Sequence, residues 1–418
     1  MITPGAFQTL KSRGFVSQCS DEAGLSRLLD ERQVTFYIGF DPTASSLHVG
    51  NLMQLFAMSH LQRAGHRPIA LIGAGTCRIG DPSGKSEARP ILPVQTIDAN
   101  AERFRVQIGR FLDFGGGRGL MENNADWLAG LNYIDFLREI GRHFSVNRML
   151  SFETYKMRLE TGLSFIEFNY QVLQAYDYLV LFQRHGCRLQ MGGDDQWGNI
   201  VAGMDLIRRV EGGEAFALTT PLVTRSDGQK MGKSEKGALY LDPELVSPYE
   251  FYQYWLNIPD ADTGKFLRLF TYLDLEEIAE LERLKDKEAN KAKQRLALEL
   301  TGIVHGAEEA ASARETSQAV FHGQGAALDA MPATTIGLSE FGRGLAYADL
   351  FVRTGLCSSK SDARRLIEQG GASIGAMQIG EVTQIASLAD FHESGPGRWE
   401  GRLRAGKKRY HRVIIEAE

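Results

Sequence analysis

His48, Val49, Gly50 and Asn51 stand where a β-branched and aromatic run, VTFYIGF (34–40), gives way through a polar loop to an apolar helical pattern. An imidazole and the free amides at a helix start can stabilise a polyphosphate. Gly50 would let a flat base lie against the backbone. The same tetrapeptide also reads as ordinary helix capping. Far downstream, Lys230-Met231-Gly232-Lys233-Ser234 lies in a glycine-flanked loop. Two lysines so spaced can flank a pyrophosphate, and a mobile loop lets them close on a transition state. The plain alternative is an exposed basic turn.

Tyr170, Gln174 and Asp177 return to one side of a helix. Incidental polar residues on an aromatic core helix would suit Tyr176 and Tyr178, which fall on other faces. They suit Asp177 poorly, because an unpaired buried carboxylate is costly. In Gln190-Met191-Gly192-Gly193-Asp194-Asp195-Gln196-Trp197 the paired glycines allow close approach of a ligand, and the Asp and Gln residues offer acceptors and an amide. Gly80-Asp81-Pro82-Ser83-Gly84-Lys85-Ser86 imitates a P-loop but is one residue too short between its glycines, so the P-loop is rejected. Near the C-terminus, Lys360, Arg364 and Arg365 share a helical stretch that ends at Gly370-Gly371, and RWEGRLRAGKKRYHR (398–412) is locally basic. A basic patch can meet a polyanion even in a chain of net charge -5, or it can simply be solvated.

These groups need a scaffold. A chain of 418 residues suggests two to four folded units. The strand at 34–40, a helix over 52–65 ending on Gly65 and a strand at 67–73 make a βαβ unit, hence a parallel, doubly wound sheet. Residues 1–32 read as a helical lead-in, 100–185 as mainly helical, and 187–193 as a strand. A further helix starts near Asn199, and 219–242 read as strand, loop, strand. The expected division is an α/β catalytic domain over 1–242, an α-helical domain over 243–325, a linker over 326–344 and a small α+β domain over 345–418. Cys19, Cys77, Cys187 and Cys357 show no metal-binding spacing and read as reduced thiols. No apolar run is long enough to cross a bilayer, and the N-terminus has no signal-peptide core, so a cytoplasmic enzyme is expected.

Taken together, HVGN behind the first strand and KMGKS downstream resemble the signature pair of class I aminoacyl-tRNA synthetases. Gly232 stands where the class pattern has Ser, as is common in the tyrosine enzymes of bacteria. Tyr37-Ile38-Gly39-Phe40-Asp41-Pro42-Thr43, the GDPSGK loop with Arg89 after Lys85, and QMGGDDQWGN (190–199) are similar to that subfamily, in which a small residue often replaces Asp194. The segment Ser359–Ile367 resembles an RNA-binding module shared with a ribosomal small-subunit protein. Tryptophan enzymes share the fold and signatures, but would not need the Tyr37/Asp177 pair and normally lack the module. A synthetase-like RNA-binding protein that had lost catalysis would show damaged signatures, whereas His48, Lys230 and Lys233 are present.

The resemblance implies a Rossmann-like catalytic domain that activates L-tyrosine with ATP and loads it onto tRNA. Tyr37 and Asp177 would bind the phenolic hydroxyl. Asp81, Tyr170 and Gln174 would hold the α-ammonium, and Gln196 would lie near the carboxylate. Gly39, Asp41, Gly50, Asn51, Gly193 and Asp195 would meet the adenylate. Thr43, His48, Lys85, Arg89, Lys230, Lys233 and Ser234 would serve the phosphates. Lys360, Arg364, Arg365, Lys407, Lys408 and Arg409 would meet RNA. Mg2+ would travel with ATP, with no tightly bound cofactor and no protein metal site. The family is homodimeric, and 130–165 would supply the interface.

Overall fold

The computed structural model describes residues 2–3, 5–79, 92–151, 155–156, 159, 162–226, 231–234, 237–285, 288–322, 333–375, 377–406 and 409–417. Two compact units divide the chain. The first comprises Met1–Gly232, Tyr240–Asp242 and Pro259–Leu296; the second comprises Lys233–Leu239, Pro243–Ile258 and Ala297–Glu418.

The first unit is built on a six-stranded sheet: β1 (Gln18–Cys19), β2 (Thr35–Phe40), β3 (Arg67–Ile72), β4 (Leu120–Asn123), β5 (Cys187–Gly193) and β6 (Phe216–Thr220). Its spatial order is β1-β6-β5-β2-β3-β4. Every pairing is parallel except β1 with β6. The chain runs outward through β2, β3 and β4, then crosses back to lay β5 on the other side of β2. That reversal opens a crevice at the carboxyl ends of β2 and β5, where doubly wound sheets bind ligands.

Inner strands of a parallel sheet are covered on both faces and read as continuous apolar runs. β3 (RPIALI) and β6 (FALTT) are buried almost throughout. The helix Phe165–His185 covers one face, where Tyr37, Leu71, Ala175, Tyr178 and Leu179 share a core. The helix Trp197–Glu211 lies against it because Gly203 has no side chain; a Cβ there would stand 2.8 Å from the Tyr178 ring. The expected strands and helices of the first βαβ unit are all present. β4 lies inside the stretch read as mainly helical. Its sequence, LMEN, has neither β-branching nor clean alternation, so nothing local announces a strand.

In the second unit the helices Pro248–Leu256 and Ala307–His322 are tied by Gln253 Nε2 donating to Ser317 Oγ at 2.8 Å. Beyond them a small sheet joins β9 (Ala333–Gly337), β10 (Ala372–Ile374), β11 (Met377–Gln378), β13 (Arg398–Ala405) and β14 (Arg409–Glu416), with β12 (His392–Gly395) paired to β13. β9 and the helix Leu338–Phe341 fall within the stretch expected to be linker. They are structured because β9 pairs with β14 and because Ile336 and Phe341 are buried in the same core as Tyr347, Phe351 and Val413. The module therefore begins by Ala333.

Candidate active site

The crevice holds a cavity of about 310 Å³, lined from β2, the loop after it, the helix Phe165–His185, β5 and the turn after β5. Tyr37, Gly39, Asp41, Thr43, His48, Asn51, Tyr170, Gln174, Asp177, Gly193, Asp195 and Gln196 all line it. Residues from three separate sequence stretches, 37–51, 170–177 and 193–196, thus converge, as their chemistry requires.

The phenol of Tyr37 is buried against the ring of Tyr178, with centroids 5.3 Å apart. Its hydroxyl makes no hydrogen bond among the described residues. Asp177 is held from both sides: Trp127 Nε1 donates to one carboxylate oxygen at 2.7 Å and Asn124 Nδ2 to the other at 3.0 Å. Burial, with a smaller push from the nearby charge of Asp41, raises its pKa to about 7 against those two hydrogen bonds. A buried hydroxyl without a partner beside a fixed carboxylate is an arrangement that a ligand hydroxyl can complete.

Elsewhere in the cavity Tyr170 donates its hydroxyl to Asp41 Oδ2 at 3.0 Å, and Thr76 reaches the other oxygen at 3.3 Å. Asn199 Nδ2 donates to the amide oxygens of Gln174 and Gln196, each at 3.1 Å, and Gln196 Nε2 donates to Asp195 at 2.9 Å. These polar groups are pre-positioned by one another. Asp194 turns away: it accepts from Ser17, Gln18 and Thr219, fastening β1 and β6 at the sheet edge.

His48 caps a short 3-10 turn, Val49–Asn51, that opens the helix Leu52–Arg63. Its Nδ1 accepts from Gly50 N at 2.9 Å, while Asn51 Oδ1 accepts from His48 N at 3.0 Å. The capping reading and the functional reading therefore describe the same residues. Gly50 has a local reason as well: a Cβ would stand 2.6 Å from the His48 ring. Gly232, with φ 78°, rests over Val49. Asp81, Lys85, Arg89, Lys230, Lys407 and Lys408 lie outside the described residues, as do the side chains of Lys233 and Ser234, whose backbone forms the strand β7 (Lys233–Ser234).

Lys360, Arg364 and Arg365 sit exposed on the helix Lys360–Glu368, in the second unit. Lys360 pairs with Asp349 at 2.6 Å, and Arg409 Nη1 donates to Leu356 O at 2.9 Å. The Gly370-Gly371 turn closes this helix. The amides of Gly370 and Gly371 bond the carbonyls of Ile367 and Leu366, with Gly370 at φ 70°.

Asn124, Trp127, Thr76 and Gln190 escaped the sequence reading as site residues. Asn124 and Trp127 follow β4, the strand without a local signal. Gln190 lies in the QMGGDDQW string, yet only the pairing of Gln190 with Tyr37 across β5 and β2 puts it, with an amide oxygen that has no partner among the described residues, in the cavity wall.

A family model described as tRNA synthetases class I (W and Y) matches residues 29–322. The tyrosine–tRNA ligase of Acetivibrio thermocellus is 51% identical, over 98% of this chain and 99% of its own length. That of Treponema denticola is 54% identical, again over 98% and 99%. A C-terminally truncated mitochondrial tyrosyl-tRNA synthetase from Aspergillus nidulans, a solved structure, is 28% identical with a TM-score of 0.68, over 75% of this chain and 94% of that one. By its sequence, its sheet and its site, the chain belongs to the class I tRNA synthetases of the tryptophan and tyrosine branch.

Proposed function

We infer that this enzyme is a tyrosine–tRNA ligase, which activates L-tyrosine with ATP and transfers it to tRNA. The observation that carries the choice of tyrosine over tryptophan is the buried, unpartnered Tyr37 hydroxyl beside the doubly anchored Asp177. The substrate phenol donates to Asp177 and accepts from Tyr37. Phenylalanine would leave the buried Tyr37 hydroxyl without a partner and deprive Asp177 of the ligand's hydrogen bond, in a place where such losses cost most.

The tyrosine carboxylate, ionised at neutral pH, attacks the α-phosphorus of ATP, and pyrophosphate leaves. No general base is needed. The work is alignment and stabilisation of charge on the phosphorus oxygens. Tyr170 and Gln174, with Asp81, hold the ammonium; Gln196 lies by the carboxylate. Gly39, Asp41, Asn51, Gly193 and Asp195 meet the adenylate. Thr43, His48, Lys85, Arg89, Lys230, Lys233 and Ser234 serve the phosphates. Mg2+ accompanies ATP, held by phosphate oxygens and water. A terminal ribose hydroxyl of tRNA then takes the tyrosyl group, and AMP leaves. The basic module after β9 engages the tRNA, the protein acts in the cytoplasm, and two copies pair through residues 130–165. Tyr133, Ile134, Leu137 and Val146, apolar yet exposed in one copy, support that pairing.

ATP–pyrophosphate exchange with each of the twenty amino acids tests the assignment. Tyrosine alone should support rapid exchange without tRNA. Equal exchange with tryptophan, or none with tyrosine, overturns it.

A further inference from the structure

The helix Val94–Ile108 buries Ile97, Asn100, Phe104 and Gln107 along one stripe. Two members of that stripe are amides, an unusual choice for an apolar face. Both spend their polar atoms on the loop that follows β2. Asn100 Nδ2 donates to Pro42 O at 3.1 Å. Gln107 Oε1 accepts from Leu47 N at 2.8 Å, with Ser46 Oγ at 3.3 Å. Phe104, between them, lines the cavity. The bonds to Gln107 are buried, so no water can replace its oxygen without cost.

Ser46 and Leu47 are also where the chain beyond the KMGKS motif is fastened. Asp242 N donates to Ser46 Oγ at 3.2 Å, Leu241 N to Leu47 O at 2.9 Å, and Tyr240 forms a β-bridge with His48. One oxygen of Gln107 therefore fixes the two residues that lead into His48 and that hold the segment Tyr240–Asp242.

We propose that Gln107 is a positioning residue for adenylate formation, which sets His48 against the phosphates by holding the Ser46–Leu47 backbone from outside the cavity. It touches no substrate. The inference rests on the reading of His48 as a phosphate-stabilising group in tyrosine activation.

The test compares Gln107→Met, similar in length but without the acceptor, with Gln107→Glu, which keeps an oxygen at the same reach. Tyrosine affinity is measured by equilibrium dialysis, and adenylate formation by single-turnover kinetics. Gln107→Met should slow adenylate formation roughly 10- to 100-fold, the scale of a misplaced catalytic group, while tyrosine affinity stays within about twofold. Gln107→Glu should restore most of the rate. Combined with His48→Ala, the Gln107→Met change should cost little more than His48→Ala alone, because the two act on one group. An unchanged rate, a parallel fall in tyrosine affinity, or penalties that multiply in the double variant would overturn the proposal. If His48→Ala alone leaves the rate intact, the reading of His48 fails instead. Should Gln107→Met not fold, Ser46→Ala removes the acceptor for Asp242 N and carries the same expectations.

Discussion

Asp177 combines full burial with two fixed donors, and its pKa of about 7 places its titration near neutral pH. The folded value lies above the ordinary carboxylate value of about 3.9. Its contribution to stability is therefore complete below about pH 4 and is lost as pH rises through 7. Binding runs the other way. If Asp177 receives the substrate phenol as proposed, binding needs the ionised acceptor, so the tyrosine KM should fall between about pH 6 and 8 while the ATP KM changes little. Among the described residues the groups facing Asp177 are Tyr37, Asp41, Asn124, Trp127 and Tyr176, and none of the five is cationic. Asp177→Asn should flatten this pH profile. It should also raise the tyrosine KM by about tenfold to a hundredfold, the worth of a charge-assisted hydrogen bond. The new amide nitrogen would face a donor, from either Asn124 or Trp127, whichever way it turned. A rise in the ATP KM alone would show that Asp177 serves the other substrate. Gly50→Ala acts by crowding: its Cβ pushes on the His48 ring, so adenylate formation should slow with tyrosine affinity retained. Single-turnover kinetics beside equilibrium dialysis would separate the two.

Local elements carry the site in ways a sequence discloses unevenly. β2, β3 and β5, and the helices Leu52–Arg63 and Phe165–His185, follow from periodicity and turn chemistry, and with them come Tyr37, His48, Tyr170 and Asp177. Residues that act by contact across distant segments give no such sign. Asn124 and Trp127 lie after β4, an edge strand of four residues whose existence is decided by pairing with β3 rather than by propensity. Asn100 and Gln107 look like interruptions of an amphipathic helix until the loop they brace is in view. Trp127→Phe probes this layer. It removes one of the two donors to Asp177 and keeps the apolar ring that the surrounding core requires. The tyrosine KM should rise by several-fold, for a hydrogen bond to a charged group is worth about 1.5–3 kcal/mol before any relaxation, and the ATP KM should hold. Equal effects on both substrates would mean that the core itself had shifted.

At the scale of the molecule, the cavity and the exposed basic helix occupy different stretches of chain. The cavity residues all precede Trp197, whereas the exposed cations of the helix Lys360–Glu368 follow β9. Ending the chain after about residue 325 should leave pyrophosphate exchange intact and abolish tRNA charging, since a separately cored module can be removed without unfolding the rest. tRNA affinity of the full chain should fall steeply with salt, and the shortened chain should lose much of that slope. Charging at the full rate by the shortened chain would dismiss the module as the tRNA holder. Ile134→Asp, on the exposed apolar stretch, should lower the solution mass toward that of one copy; an unchanged mass would place the pairing surface elsewhere.

The position of β14 in the small sheet has a consequence in time. It lies between β13, to which it runs antiparallel, and β9, to which it runs parallel. Among the described strands β9 has no other neighbour. On the ribosome, where chains grow by roughly 5–20 residues per second, ATTIG is made several seconds before the strand that covers it. Through that interval it is an open edge, able to pair with the wrong chain. All six strands of the catalytic sheet have been made before β9 is begun. Translation speed between β9 and β14 therefore governs how long the nascent module is exposed to misassembly. With the module in its proposed role, slow codons placed there should lower the yield of charging-competent enzyme without touching its capacity to make adenylate.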